Sequence, residues 1–483
     1  MEVALLLKIF AWVLVWQFQS STADLDLYGD PYCLAEDPGP YVMFSSKTPY
    51  IFSRGSFSPE ALVPEGCEAV QAWHICRHGT RYAGDSDIVQ FEAELPRLQK
   101  LILEASDAGK GELCPEDLSN LQSWSLGVLN VSWASILAPE GEQELQELAA
   151  RYKLALPTLL DYSFSNESFK FRHTASQRTK ASARAYARGL FGETGDTIYI
   201  PEPLDPDPVI KFYDLCSKYI KEVDDNPEAT IEAKMFQEGP EIAKVVQEAT
   251  RRLGINITFG DAETMYDACR YYKAWDPAAL SPWCAAFTPE NLKVLEYWED
   301  LLYYYEDGYG HAINYESACP PIQDLVQHFR KFVVTGQGPR GIFYFTHSGA
   351  LNKVMTRLGL YKDSVPLTHD NFDPNRLWRT SHNGMFATNL AFTLSRCEDE
   401  RGWWVSTLAS EKAVQLPGCL SEQGCSWQDF YNFYGQYEAC DFDGICENGK
   451  KDSPRESGEK FYNWQLIVKR LRELWEDFIS IWH

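Results

Sequence analysis

Val70-Gln71-Ala72-Trp73-His74-Ile75-Cys76 runs without a break into Arg77-His78-Gly79-Thr80-Arg81. Seven mostly apolar residues suit a buried strand and are too few for a typical core helix. Directly after them stands a histidine between two arginines. Neutral imidazole has a free lone pair and is populated at about pH 5 to 7, so it can attack phosphorus. Guanidinium groups stay charged at any relevant pH and grip phosphoryl oxygens in a planar, bidentate fashion. Gly79 would let the backbone come close to a phosphate. An open α/β sheet gathers its ligands at the carboxyl ends of its strands, which is where this histidine falls.

A second segment repeats the arrangement. Gly341-Ile342-Phe343-Tyr344-Phe345-Thr346 reads as another buried strand, entered from the turn Gly336-Gln337-Gly338-Pro339, and a helical pattern follows from Leu351 to Leu360. Strand, loop and helix in that order predict an α/β layer with a partly parallel sheet. Between the two segments, residues 211–333 read as mainly helical. The clearest helix opens at Thr288-Pro289-Glu290, a capping residue followed by proline. Val294, Leu295, Trp298, Leu301, Leu302 and Tyr305 then recur at three- and four-residue steps. Asp307-Gly308-Tyr309-Gly310 predicts a left-handed glycine stop. An amphipathic helix is expected near 460–480.

The 483 residues carry 69 acidic against 44 basic side chains, a net charge of −25. That balance excludes a general nucleic-acid binder and a protein docking on anionic lipid. With 45% hydrophobic and 14% aromatic residues, the chain can bury a large core. Residues 1–23 combine an apolar run with a small-residue exit at Ala23 and read as a secretory signal peptide; no later stretch is apolar enough to span a bilayer. The chain is therefore expected in the secretory pathway, secreted or in an endomembrane lumen, where its 13 cysteines are disulfide candidates. Cys419/Cys425 and Cys440/Cys446 are spaced to close short loops, and Cys76 is the candidate free thiol. Three sequons, at Asn130, Asn166 and Asn256, fit a glycoprotein.

From Lys170 to Arg188 there are six basic residues and no acid. Arg184 and Arg188 suit a solvated helix face, whereas Arg178, in Ser176-Gln177-Arg178, is the member of the run expected to be functional. His369-Asp370 follows no apolar strand, which suits a loop or capping role.

The Arg77–Arg81 segment resembles the signature of the histidine acid phosphatases. Phe212-Tyr213-Asp214-Leu215-Cys216, Ser281-Pro282-Trp283-Cys284, Gly308-Tyr309-Gly310, Pro366-Leu367-Thr368 and Leu416-Pro417-Gly418-Cys419 extend the resemblance to the multiple inositol-polyphosphate phosphatase branch. The resemblance implies a mixed, largely parallel sheet flanked by helices, a phosphoglycerate-mutase-like core, with an inserted helical cap. The core would comprise 24–210 and 334–483, the latter ending in a disulfide-tied tail, and 211–333 would be the insertion. It implies a phosphohistidine on His78, phosphate held by Arg77, Arg81, Arg178 and His347, and no metal or other cofactor. Inositol polyphosphates or similar small phosphate esters are the implied substrates. One departure stands out. The family places an Asp directly after its second histidine, or in this branch a Glu two positions on, and here those residues are Ser348 and Gly349. An inositol alkoxide leaves poorly without a proton. Three alternatives follow: a slow enzyme, an acid borrowed from elsewhere, or an inactive protein that binds inositol phosphates.

Overall fold

The structure, a computed structural model, describes residues 32–449 apart from positions 38, 40, 41, 128, 422 and 423. The leader expected at 1–23 and the helix expected near 460–480 lie outside the described residues.

Among the described residues, seven strands form one mixed sheet: β1 (Cys67–Arg77), β2 (Phe169–His173), β3 (Gly341–Thr346), β4 (Asn389–Cys397), β5 (Trp403–Ala409), β6 (Lys412–Ala413) and β7 (Cys425–Ser426). Their order is β2-β3-β1-β4-β5-β6, with β7 also on β5. The three strands that lead to the predicted site, β2, β3 and β1, are parallel, and antiparallel pairing begins at β4. The principal helices are α1 (Asp85–Asp107), α2 (Pro139–Ala155), α3 (Gln177–Phe191), α4 (Pro240–Leu253), α5 (Phe259–Trp275), α6 (Pro289–Glu306), α7 (Cys319–Thr335) and α8 (Ser348–Arg357).

Alternate residues of β1 face opposite layers, as strand geometry requires. Trp73 and Ile75 pack with Ile342, Leu325 and Phe329 of α7 and Leu351 and Met355 of α8. Ala72 and Cys76 pack with Phe343 and Phe345, against Leu145, Leu148 and Tyr152 of α2 and Ala183 and Tyr186 of α3. Each such Leu or Phe contributes about 1.5–3 kcal/mol relative to an exposed position. Helix α8 starts one turn earlier than the apolar pattern predicts, because His347 takes the N-cap position immediately after β3.

A third cluster is helical. It joins Phe91, Leu95 and Leu98 of α1 with Val245 of α4, Met265 and Tyr266 of α5, Leu295 and Leu301 of α6, and Trp378. This packed unit differs from the continuous range 211–333. It recruits α1 from the preceding segment, while α7, inside that range, packs on the sheet. The apolar face of α1 finds its partners far along the chain, which a local periodicity cannot show.

Thr288 caps α6 as expected, in a reciprocal box: its Oγ1 accepts from Asn291 N at 3.3 Å and its own N–H donates to Asn291 Oδ1 at 3.1 Å. Such a cap is worth about 1 kcal/mol. The end of α6 corrects the predicted left-handed stop, since neither Gly308 nor Gly310 has a positive φ. Close packing explains Gly308 instead: a Cβ there would stand 2.6 Å from the Trp378 ring.

Six disulfides link Cys33–Cys114, Cys67–Cys397, Cys216–Cys446, Cys269–Cys284, Cys319–Cys440 and Cys419–Cys425, and Cys76 is free and buried. The 419–425 loop and the free Cys76 are as predicted. The 440–446 loop is not: the short helix Phe442–Ile445 intervenes, and its flanking cysteines tie the C-terminal segment to Cys319 and Cys216. Asn130, Asn166 and Asn256 are all exposed.

Non-reducing peptide mapping is expected to recover the 216–446 and 319–440 linked pairs and no 440–446 loop. Replacing Cys446 and Cys216 together by Ser should lower unfolding free energy by about 2–4 kcal/mol in a denaturant titration.

Candidate active site

The parallel β1–β3 ladder ends with Arg77 opposite Thr346, and the His78 amide donates to Thr346 O at 3.0 Å. The next residue of each strand therefore lands beside the other. The rings of His78 and His347 meet edge to face, with centroids 5.7 Å apart. His78 is only 3% exposed. Its Nδ1 lies 2.8 Å from Gly79 O. A carbonyl can only accept, so Nδ1 carries the proton and Nε2 keeps its lone pair.

The loop after β1 is clamped from below by α2. Thr80 N and Oγ1 donate to the Glu144 carboxylate at 2.7 and 3.0 Å. Burial pushes the Glu144 carboxyl up to about 7, against the opposing pull of the Thr80 donors. A Cβ on Gly79 would come within 2.3 Å of Gly141 O, so the glycine is required by the helix beneath it as well as by any phosphate above. Gly79 N also donates to Ser182 Oγ of α3 at 3.2 Å.

Arg77 is buried, lies over the Phe386 ring at 4.6 Å, and donates through Nη1 to the carbonyls of Ser46 and Gly384. Arg178 stands in the first turn of α3, whose N-cap is Ser176, and its Nη2 approaches His347 Nδ1 at 3.4 Å. Guanidinium can only donate, so His347 Nδ1 accepts and Nε2–H faces Thr174 Oγ1 at 2.9 Å. Arg81 pairs through its backbone with Leu137 and sets its guanidinium 5.7 Å from the Tyr271 ring centroid.

Burial is the main reason that the His78 imidazole titrates well below its ordinary range, followed by the charges of Arg77, Arg178, His347 and Arg81. His347 is held down the same way, by burial and then by Arg178, Lys211, Arg77 and Arg81. The five residues predicted from the sequence, Arg77, His78, Arg81, Arg178 and His347, thus act on one another in a single cationic centre.

The other arginines of the Lys170–Arg188 run are used elsewhere. Arg172 pairs with Asp207 at 2.5 Å, Arg184 donates to Gly195 O and Ile198 O, and Arg188 pairs with Glu142 and Asp196. His369 faces Glu232 at 2.7 Å and Asp370 accepts from Thr368 Oγ1, so that pair has a loop role. Lys211, Thr174 and Glu144 escaped the sequence reading. Thr174 lies between β2 and the Arg178 turn and could have been suspected; Lys211 and Glu144 arrive through long-range contacts with no local signal.

A family profile described as histidine phosphatase superfamily (branch 2) matches residues 69–410. Multiple inositol polyphosphate phosphatase 1 of Drosophila melanogaster is 32% identical, over 84% of this chain and 88% of its own length. The Homo sapiens protein of the same name is 28% identical, over 86% and 88%. The crystal structure of the phytase from D. castellii superimposes with a TM-score of 0.66 at 16% identity, covering 88% of this chain and 90% of that one. The apo form of a Bifidobacterium longum multiple inositol polyphosphate phosphatase gives 0.59 at 14% identity, covering 78% and 93%. With a profile spanning most of the chain and a relative at 32% identity over 84% of it, the chain belongs to branch 2 of the histidine phosphatase superfamily.

Proposed function

We propose that this phosphomonoesterase hydrolyses inositol polyphosphates, or closely similar phosphate esters, through a phosphohistidine on His78. The observation that carries the reading is the Nδ1–H of His78 tied to Gly79 O, which leaves the Nε2 lone pair as nucleophile inside a ring of arginines. Nε2 attacks phosphorus, the ester P–O bond breaks, and the leaving oxygen takes a proton. Water then adds to phosphorus, the P–N bond breaks, and phosphate leaves with the imidazole restored. Arg77, Arg81 and Arg178 supply fixed positive charge where the equatorial oxygens gain negative charge, and the burial of Arg77 beside His78 makes that charge effective. His347 orients Arg178 through their contact and completes the phosphate cradle.

The substrate class rests on the relatives. Two are named for inositol polyphosphates, one solved neighbour is a phytase, and the Bifidobacterium longum enzyme has been solved with inositol hexasulfate. Six disulfides support folding in an oxidising compartment, and the exposed sequons at Asn130, Asn166 and Asn256 are consistent with glycosylation there.

Phosphate release from inositol hexakisphosphate should be measured for the parent protein and for His78→Ala. Loss of essentially all release in the variant is expected; equal release from both would remove the reading, and no release from the parent would leave a binding protein. The pH dependence has a definite sign. Because the His78 pKa is depressed, the neutral nucleophile persists as pH falls below the ordinary histidine value of about 6.5. The acid limb of kcat/KM is therefore expected well below that value. Gly79→Ala should cut kcat/KM by about 100-fold or more, because the loop must move off Gly141 and take His78 with it.

A further inference from the structure

The mechanism needs a proton for the leaving oxygen, and neither Ser348 nor Gly349 carries a carboxyl. The C-terminal end of α6 fills the gap. Three of its side chains, Glu299, Tyr303 and Glu306, recur at four- and three-residue steps and so share one side of the helix. The first two face the Arg77 edge of the site. Tyr303 Oη is 3.1 Å from Ser46 Oγ, Glu299 pairs with Lys47, and Ser46 O accepts from Arg77. Asp307, one residue beyond the helix, faces the opposite edge: its Oδ1 lies 3.0 Å from where a Cβ on Gly349 would be, two residues after His347. Glu306 lies on α6 between Tyr303, which reaches the Arg77 edge, and Asp307, which reaches the Gly349 edge. The glycine at 349 and the carboxylate of Asp307 also share one space, so a larger residue at 349 would have to displace Asp307.

Two adjacent acids meet one buried cation here. Lys353 Nζ of α8 pairs with the Asp307 carboxylate and donates to the backbone oxygen of Glu306 at 3.1 Å. Asp307 thereby takes the lysine's charge, and among the described residues no side-chain hydrogen bond or ion pair holds the Glu306 carboxyl. We propose that Glu306 is the proton donor to the leaving oxygen, with Asp307 and Lys353 as positioning residues that fix the helix end beside His347. This assignment rests on the phosphatase reading given above. Its electrostatics agree: burial, and then the neighbouring Asp307, push the Glu306 carboxyl up to about 8, with Asp224 and Glu299 adding to the effect and Lys353 opposing it. Glu306 is then a neutral acid at the pH where His78 is a neutral base. Environments that push two groups' pKa values apart in this way define an acid and a nucleophile. As the ester P–O bond breaks, the Glu306 proton passes to the departing oxygen and leaves a carboxylate. That carboxylate accepts a proton from the water that attacks the phosphohistidine, which restores the starting state.

The test compares an alkyl ester, inositol hexakisphosphate, with 4-nitrophenyl phosphate, whose leaving group needs no proton. Glu306→Gln should lower kcat/KM for the alkyl ester by about 100-fold or more relative to its effect on the aryl ester, the usual size of a general-acid contribution. Aryl turnover also reports that the variant is folded with its nucleophile in place. In the parent protein, kcat/KM for the alkyl ester should fall on the alkaline side through a group titrating near 8, and that limb should be absent with the aryl ester. Alkyl-selective loss in Asp307→Asn but not in Glu306→Gln would overturn the assignment, as would matching alkaline limbs for both esters in the parent. If the parent cleaves neither ester, the phosphatase reading itself fails; if it cleaves both with no ester-selective effect at Glu306, only the proton donor is wrong.

Discussion

At the carboxyl end of the sheet, one parallel register sets the geometry of everything above it. Arg77 is paired with Thr346, and the His78 amide donates to the Thr346 carbonyl. Because β1 and β3 stop together, His78 and His347 emerge side by side, and helix α8 begins at once under His347. A one-residue slip of either strand would turn its whole apolar set to the wrong face. The buried packing of Trp73 and Ile75 on one side, and of Phe343 and Phe345 on the other, forbids that slip. The same cores that stabilise the sheet therefore fix the distance between the two histidines.

The charge distribution follows from the same frame. A chain at −25 is a poor match for a polyanion as a whole. Its positive charge is concentrated around the buried Arg77 and the half-buried Arg81 and Arg178, where partial burial strengthens it. The price is two histidines kept neutral, and neutrality is what makes His78 a nucleophile. Acids near the site are dealt with individually. Glu299 is neutralised by Lys47 and Arg270, Asp307 by Lys353, and Glu144 is turned under the loop onto Thr80. Neither Glu144 nor Glu306 has an ion pair among the described residues: Glu144 is held by the Thr80 donors, and Glu306 keeps its proton.

Much of this was readable from single segments. The strand Gly341–Thr346 is bounded as its apolar run implies, and β1 extends the Val70–Cys76 run at both ends. Thr288 and its proline announce α6. The five site residues lie in three short segments whose composition is unusual in an acidic chain. What escaped detection depends on contacts between distant residues. Cys440 and Cys446 are near each other in sequence but bond to Cys319 and Cys216, because a helical turn separates them and their partners lie far back along the chain. Gly308 looked like a helix stop and proves to be room for Trp378. Helix α1 joins a helical cluster formed mostly by residues more than a hundred positions later. Glu306 and Asp307 gave no local sign, since their meaning depends on Lys353 and on the empty side-chain space at Gly349.

The central claim is that His78 becomes covalently phosphorylated. Rapid acid-free denaturation during turnover of 4-nitrophenyl phosphate, followed by peptide mass analysis, tests it most directly. The account predicts one phosphoryl group on the peptide that carries His78, lost on brief acid treatment and absent from His78→Ala. A phosphoryl group on any other residue, or turnover with no trapped adduct together with activity retained in His78→Ala, would contradict it.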